Sequence, residues 1–154
     1  MKLALVSDAW YPQTNGVVRT LDTVRGLLAA GGNSVEVVAP ADFFTLPCPT
    51  YPEIRLAVAA GGAMQRRLDA LAPNVIHIAT EGPLGLAARH YCLRRGLAFT
   101  TAYHTKFPEY IHVRTGLPLA WAYAFMRWFH RPSSGVMVAA ASLEDELYAH
   151  GFRK

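Results

Sequence analysis

An α/β fold, with an open parallel sheet and helices on both of its faces, is the class this 154-residue chain predicts. Three observations carry that expectation. Short apolar runs such as Leu3–Val6 and Val75–Ile78 lack polar alternation, as strands buried on both faces do. Segments with apolar residues at helical spacing stand between them, so strand and helix alternate along the chain. The length suits one domain, 1–154, and no repeat or linker divides it.

The elements follow in order. Leu3–Val6 is a strand ending at Ser7-Asp8, and Pro12, Asn15 and Gly16 break the loop after it. Val17, Leu21, Val24 and Leu28 recur at helical spacing until Gly31-Gly32 stops the helix. Val35–Ala39 is a second strand ended by Pro40. The stretch from Phe43 to Pro52 holds Pro47, Pro49 and Pro52 and reads as an irregular loop, with Ile54–Leu56 a short third strand. Met64, Leu68 and Leu71 mark a helix that stops before Pro73. Val75–Ile78 is the fourth strand, and Pro83 opens a helix running to Gly96. Ala98–Ala102 is the fifth strand. Leu117–Phe129 is a helix with an aromatic face, and Gly135–Val138 is the sixth strand. Ser142 and Asp145 resemble a capping box for a last helix that Gly151 ends.

The formal net charge is +4, and twelve of the fifteen cations are arginine. That excess suits phosphate-bearing ligands or an anionic membrane surface. No basic run with interleaved aromatics occurs, so nucleic acid is not expected. Cys48 and Cys92 form no close pair, which fits a reducing cytoplasm. Neither a signal peptide nor a spanning segment is read. The aromatics of 117–129 read as core with Arg114, Arg127 and Arg131 at its edge. The alternative is weak peripheral contact with anionic lipid.

Ligands of open parallel sheets bind beyond the carboxyl ends of the strands, so the loops there carry the chemistry. In the first, Asp8 to Val17, Gly16 lies at a helix N-terminus, where backbone N–H groups attract anions; a plain Asn-Gly turn is the alternative. The dinucleotide fingerprint and the P-loop are absent. In the second, Ala79 to Gly85, Thr80 or Glu81 can cap the next helix. The third, Tyr103 to Tyr110, concentrates His104, Lys106, Glu109 and two tyrosines where the sheet opens. His77 lies inside an apolar strand and reads as core. His90, His112, His130 and His150 lack metal-ligand spacing, so no metal is expected. There is no G-x-S-x-G elbow.

Together these loops resemble a known family. Asp8-x-x-Tyr11-Pro12-Gln13-x-Asn15-Gly16-Val17-Val18-Arg19-Thr20-Leu21 is similar to the opening of the retaining, family-four glycosyltransferases of two-domain GT-B architecture. Within that family it resembles GDP-mannose-dependent mannosyltransferases and sulfoquinovosyl-diacylglycerol synthases. The later motifs come in the same order: Pro73 to Gly85, Tyr103 to Tyr110, then Ser142-Leu143 to Gly151-Phe152. The resemblance implies a Rossmann-like N-terminal half-domain that holds the acceptor, with a nucleotide-sugar-binding C-terminal domain absent from this chain.

By the same resemblance, His104 is the catalytic-site histidine beside the transferred sugar. Gly16, Asn15 and Arg19 face the donor diphosphate. Tyr11, Thr80, Tyr103, Thr105 and Lys106 shape the acceptor pocket. No cofactor is implied beyond the donor, GDP-mannose or a UDP-sugar. The implied acceptor is a lipid, a lipid-linked molecule or a polyol (phosphate), with the enzyme cytoplasmic and peripheral on the inner face of the membrane. Two departures stand out. Relatives generally carry Pro or Gly where this chain has Glu81, and a Pro-Ser turn where it has Ala139-Ala140-Ala141-Ser142. The paired-Glu segment that grips the donor nucleotide belongs to the other half, so the isolated chain is expected to turn over little or no substrate. Two rival readings are a non-catalytic interaction module derived from such a half-domain, and a phosphoacceptor signalling domain built on Asp8, Glu81 and Lys106.

Overall fold

The computed structural model describes residues 1–49, 51–104 and 106–153, apart from the side chains of Phe107 and Tyr110. Five strands form one parallel sheet: β1 (Lys2–Val6), β2 (Ser34–Val38), β5 (Val75–Ile78), β6 (Thr100–Tyr103) and β7 (Gly135–Val138). Their spatial order is β2-β1-β5-β6-β7. The remaining strands, β3 (Thr45–Pro47) and β4 (Arg55–Ala57), make a separate antiparallel pair. Six α-helices are described: α1 (Gly16–Ala30), α2 (Gly61–Leu71), α3 (Pro83–Arg95), α4 (Phe107–Thr115), α5 (Leu119–His130) and α6 (Ala141–Ala149).

The pleat of β1 sorts the core into two layers. Ala4 and Val6 point to one face, where they join Met64 and Leu68 of α2, Leu84, Ala88 and Cys92 of α3, and Phe129 of α5. Leu3 and Leu5 point to the other, against Leu21, Val17 and Leu28 of α1. This is the period-two division that a strand imposes on its side chains. A third cluster gathers Tyr103, Met126 and Leu147 with Val136 and Val138, tying β6 and β7 to α5 and α6.

Several expectations are corrected. The proline-rich stretch taken as irregular contains β3; Pro47 is accommodated there because a two-stranded ribbon leaves one side of each strand unpaired. The third strand therefore joins β3 rather than the parallel sheet. The fifth strand begins two residues later than expected and extends to Tyr103. The polar cluster after it is largely helical, with Pro108 accepted in the first turn of α4. Ser142 and Asp145 form no capping box: α6 starts at Ala141, and its N-cap is Ala140, which has no side chain to donate or accept. The aromatic face of α5 is divided. Phe129 is buried and Phe125 half-buried, whereas Trp121 and Trp128 are exposed. No described helix is long and apolar enough to cross a membrane.

Candidate functional site

Counting only the strands of the parallel sheet in chain order, their spatial order is 2-1-3-4-5, and the direction of winding reverses between β1 and β5. Such a reversal opens a crevice at the carboxyl ends of the two strands. The loops from Asp8 and from Ala79 meet there. Register pairs Val6 with Ile78, so the next residues of both strands leave the sheet together.

Asp8 locks the two loops. Its Oδ1 accepts from the backbone N–H of Leu84 at 2.8 Å, and its Oδ2 accepts from Gly85 N at 3.2 Å and from the Thr80 hydroxyl at 2.7 Å. Asp8 N lies 2.7 Å from the same hydroxyl oxygen. Asp8 thus caps α3, whose own N-cap, Gly82, has no side chain to do so. Neither Thr80 nor Glu81 is the cap. Burial holds the Asp8 carboxyl above its ordinary range, while the Leu84, Thr80, Gly85 and Gly82 hydrogen bonds pull the other way. Glycine is required where this lock is tightest. A Cβ on Gly82 would lie 2.5 Å from the Asp8 carboxyl carbon, and one on Gly85 only 1.9 Å from the Thr80 carbonyl oxygen.

At the first loop, Asn15 is the N-cap of α1, its Oδ1 accepting from Val18 N at 3.0 Å. Gly16 follows as the first helical residue, exposed, and a Cβ there would meet nothing within 4 Å. Arg19 is exposed in the first turn of α1. Tyr11, preceding a cis proline, is exposed and donates its hydroxyl to Asp22 Oδ2 at 2.8 Å.

His104 follows β6 directly, and its Nε2 is buried without a hydrogen-bond partner among the described residues. Burial lowers its pKa, and the nearby Glu81 carboxylate opposes that shift. His77, one strand away on β5, is only 8% exposed and shares a 2.8 Å hydrogen bond between Nδ1 and the Thr100 hydroxyl. Burial, reinforced by His104, pushes its pKa down to about 4. It is the satisfied core residue that its apolar strand suggested.

Glu81 turns to His130. Its Oε1 lies 3.1 Å from His130 Nε2, and His130 Nδ1 lies 2.8 Å from the Thr101 hydroxyl. No local spacing marked His130 as a partner, because it comes from the end of α5 while Glu81 comes from the loop after β5. Beyond it, the Tyr123 hydroxyl donates to Glu109, and the Tyr123 ring stacks on His150 at 3.6 Å. Tyr103 is buried, and its hydroxyl has no hydrogen-bond partner among the described residues. Lys106 is exposed and paired with Glu146 at 2.9 Å. Thr105 lies outside the described residues. Asp8, engaged with α3, and Lys106, engaged with Glu146, do not form the constellation that a phosphoacceptor reading needs.

With this geometry, the chain is a Rossmann-like α/β domain, and its sequence is that of a glycosyltransferase. It belongs to Glycosyltransferase Family 4, whose sequence profile matches residues 14–154. It is 25% identical to a GDP-mannose-dependent alpha-mannosyltransferase of Mycobacterium tuberculosis, over 98% of this chain and 45% of that protein. It is 24% identical to the Arabidopsis thaliana sulfoquinovosyl transferase SQD2, over 70% and 21% of the two chains. It is also 24% identical to an alpha-monoglucosyldiacylglycerol synthase of Streptococcus pneumoniae, over 73% and 28%. The chain thus spans less than half the length of each of these relatives. Among solved structures, the signal receiver domain of a modulated diguanylate cyclase from Desulfovibrio desulfuricans G20 superposes with a TM-score of 0.50 at 13% identity, covering 97% of this chain and 94% of that one. That likeness is one of fold.

Proposed function

We propose that this chain is the acceptor-side half of a retaining hexosyltransferase that moves a hexose, mannose in the first instance, from a nucleotide-diphosphate sugar to a lipid or polyol acceptor. The observation that carries the reading is His104. It offers a buried ring nitrogen with no partner among the described residues, at the carboxyl end of β6, the strand next to β5. Its depressed pKa keeps the imidazole neutral near pH 7, so Nε2 is suited to a sugar hydroxyl rather than to a phosphate.

In this reading the N-terminus of α1, at Gly16, stabilises the diphosphate as the glycosidic bond loosens, with Arg19 adding positive charge. Asn15 acts indirectly, by capping that helix. Thr80 does so by holding Asp8 and the loop before α3. Tyr11, Tyr103, Thr105 and Lys106 are the acceptor-side candidates. In this reading a second half, for which the longer relatives have room, supplies the donor-nucleotide site, so the 154-residue chain by itself turns over little or no substrate. Activity at the cytoplasmic face of a membrane is part of the same proposal, supported by the exposed Trp121 and Trp128 on α5.

The test joins this chain to the C-terminal half of the Mycobacterium tuberculosis mannosyltransferase and follows hexose transfer from labelled GDP-mannose, UDP-glucose and UDP-sulfoquinovose. The fusion should transfer one of these sugars, and His104→Ala should lower turnover about a hundredfold or more. Undiminished turnover by His104→Ala, or equal turnover by the isolated chain, would overturn the proposal.

A further inference from the structure

Next to the polar crevice lies a cavity of different character. It has a volume of about 290 Å³ and is lined by Ile111, Leu117, Trp121, Ala122, Phe125 and Glu81. The apolar residues come from α4, α5 and the turn between them. Glu81 comes from the loop after β5 and is the charged group among the described lining residues. Its side chain is 12% exposed and anchored to His130. The same carboxylate acts electrostatically on His104. One residue therefore belongs both to the apolar pocket and to the neighbourhood of the candidate catalytic histidine. At the mouth, Trp121 is 67% exposed and Leu117 45% exposed.

We propose that this pocket receives the alkyl or aryl part of the acceptor, with Glu81 accepting a hydrogen bond from a neutral hydroxyl beside it. The inference rests on the glycosyl-transfer reading and narrows its acceptor class to an uncharged, hydroxylated amphiphile. The chemistry of the lining selects that class. Apolar walls reward removal of hydrocarbon from water, and the volume suits a chain or ring rather than a whole sugar. A buried carboxylate pairs well with a hydroxyl donor and repels an anionic head group. A polyol phosphate is disfavoured by that repulsion.

Titration calorimetry on the 154-residue chain tests this without requiring catalysis. The probes are octyl β-D-glucopyranoside below its micelle concentration, glucose, and octyl phosphate. Saturable one-to-one binding of the octyl glucoside is expected, with glucose at least about tenfold weaker. Octyl phosphate should also be weaker, and Glu81→Gln should narrow the gap between the two octyl ligands. Ala122→Phe, which fills the pocket, should weaken octyl glucoside about tenfold. Trp121→Ala should weaken it too, and covers the case in which Ala122→Phe fails to fold. Phe44→Ser removes an exposed apolar side chain away from the pocket and should change nothing.

Absence of saturable binding would overturn the inference. So would equal loss in Phe44→Ser, which is adsorption to apolar surface only, or tighter binding of octyl phosphate than of the glucoside. Failure of the fusion to transfer hexose, with octyl glucoside still bound, would sink the transferase reading and leave the amphiphile pocket standing. Transfer to soluble sugars without octyl glucoside binding would do the reverse.

Discussion

The Thr80 hydroxyl lies 2.7 Å from both the backbone nitrogen and Oδ2 of Asp8, a residue 72 positions earlier in the chain. That contact closes the carboxyl ends of β1 and β5 over one another and lets Asp8 reach the first turn of α3. Asp8→Ala should lower stability by about 1–3 kcal/mol, because Leu84 N, Gly85 N and the Thr80 hydroxyl lose their acceptor together. The urea midpoint should fall with an unchanged slope. A midpoint equal to that of the parent would show that water or another group caps α3 equally well.

Two glycines next to the crevice should behave in opposite ways. Gly85→Ala puts a Cβ 1.9 Å from the Thr80 carbonyl, a backbone atom that cannot swing aside. It should destabilise the chain by about 3 kcal/mol, at the upper end for overpacking. Gly16→Ala meets nothing within 4 Å and should stay within about 0.5 kcal/mol of the parent. Thermal melts of the two variants make the comparison. A loss of donor affinity in Gly16→Ala within the fusion would then belong to the site and not to the fold.

Acid should destabilise the protein through His77. Its folded pKa is about 4, below the ordinary value of 6.5, so the unfolded chain takes up a proton that the folded chain refuses. The His77 contribution is complete above pH 6.5 and is lost as pH falls toward 4. The shift corresponds to at most about 3 kcal/mol. The raised Asp8 carboxyl works in the opposite sense, and His104, lowered by burial, in the same sense as His77. The difference between the parent and His77→Gln isolates the His77 share. Urea midpoints at pH 7.5 and 4.5 should therefore fall further for the parent than for His77→Gln; parallel losses would remove His77 as the cause.

The strands and helices of the parallel sheet were legible because burial leaves a periodic trace. Val6, Val38 and Ile78 sit in runs that only a doubly covered strand tolerates, and the apolar spacing of α1 continues until Gly31. The hairpin of β3 and β4 left no such trace. Leu46 is half exposed, and three-residue strands are too short for alternation to register. Helix α4 was hidden by Pro108, a breaker in most settings but acceptable in a first turn.

Local order along the chain determined the fold class, the identity of the loops that leave the sheet, and the placement of His104, Gly16 and Thr80 on those loops. Tertiary structure alone decided what those side chains meet. It set Asp8 on the N-terminus of α3 and paired Glu81 with His130 and Lys106 with Glu146. It also left His104 Nε2 without a hydrogen-bond partner among the described residues. The physical reason is range. Periodicity and turn chemistry act over a few residues and survive in the sequence, whereas hydrogen bonds between elements 40 to 80 positions apart exist only after the sheet has brought their ends together.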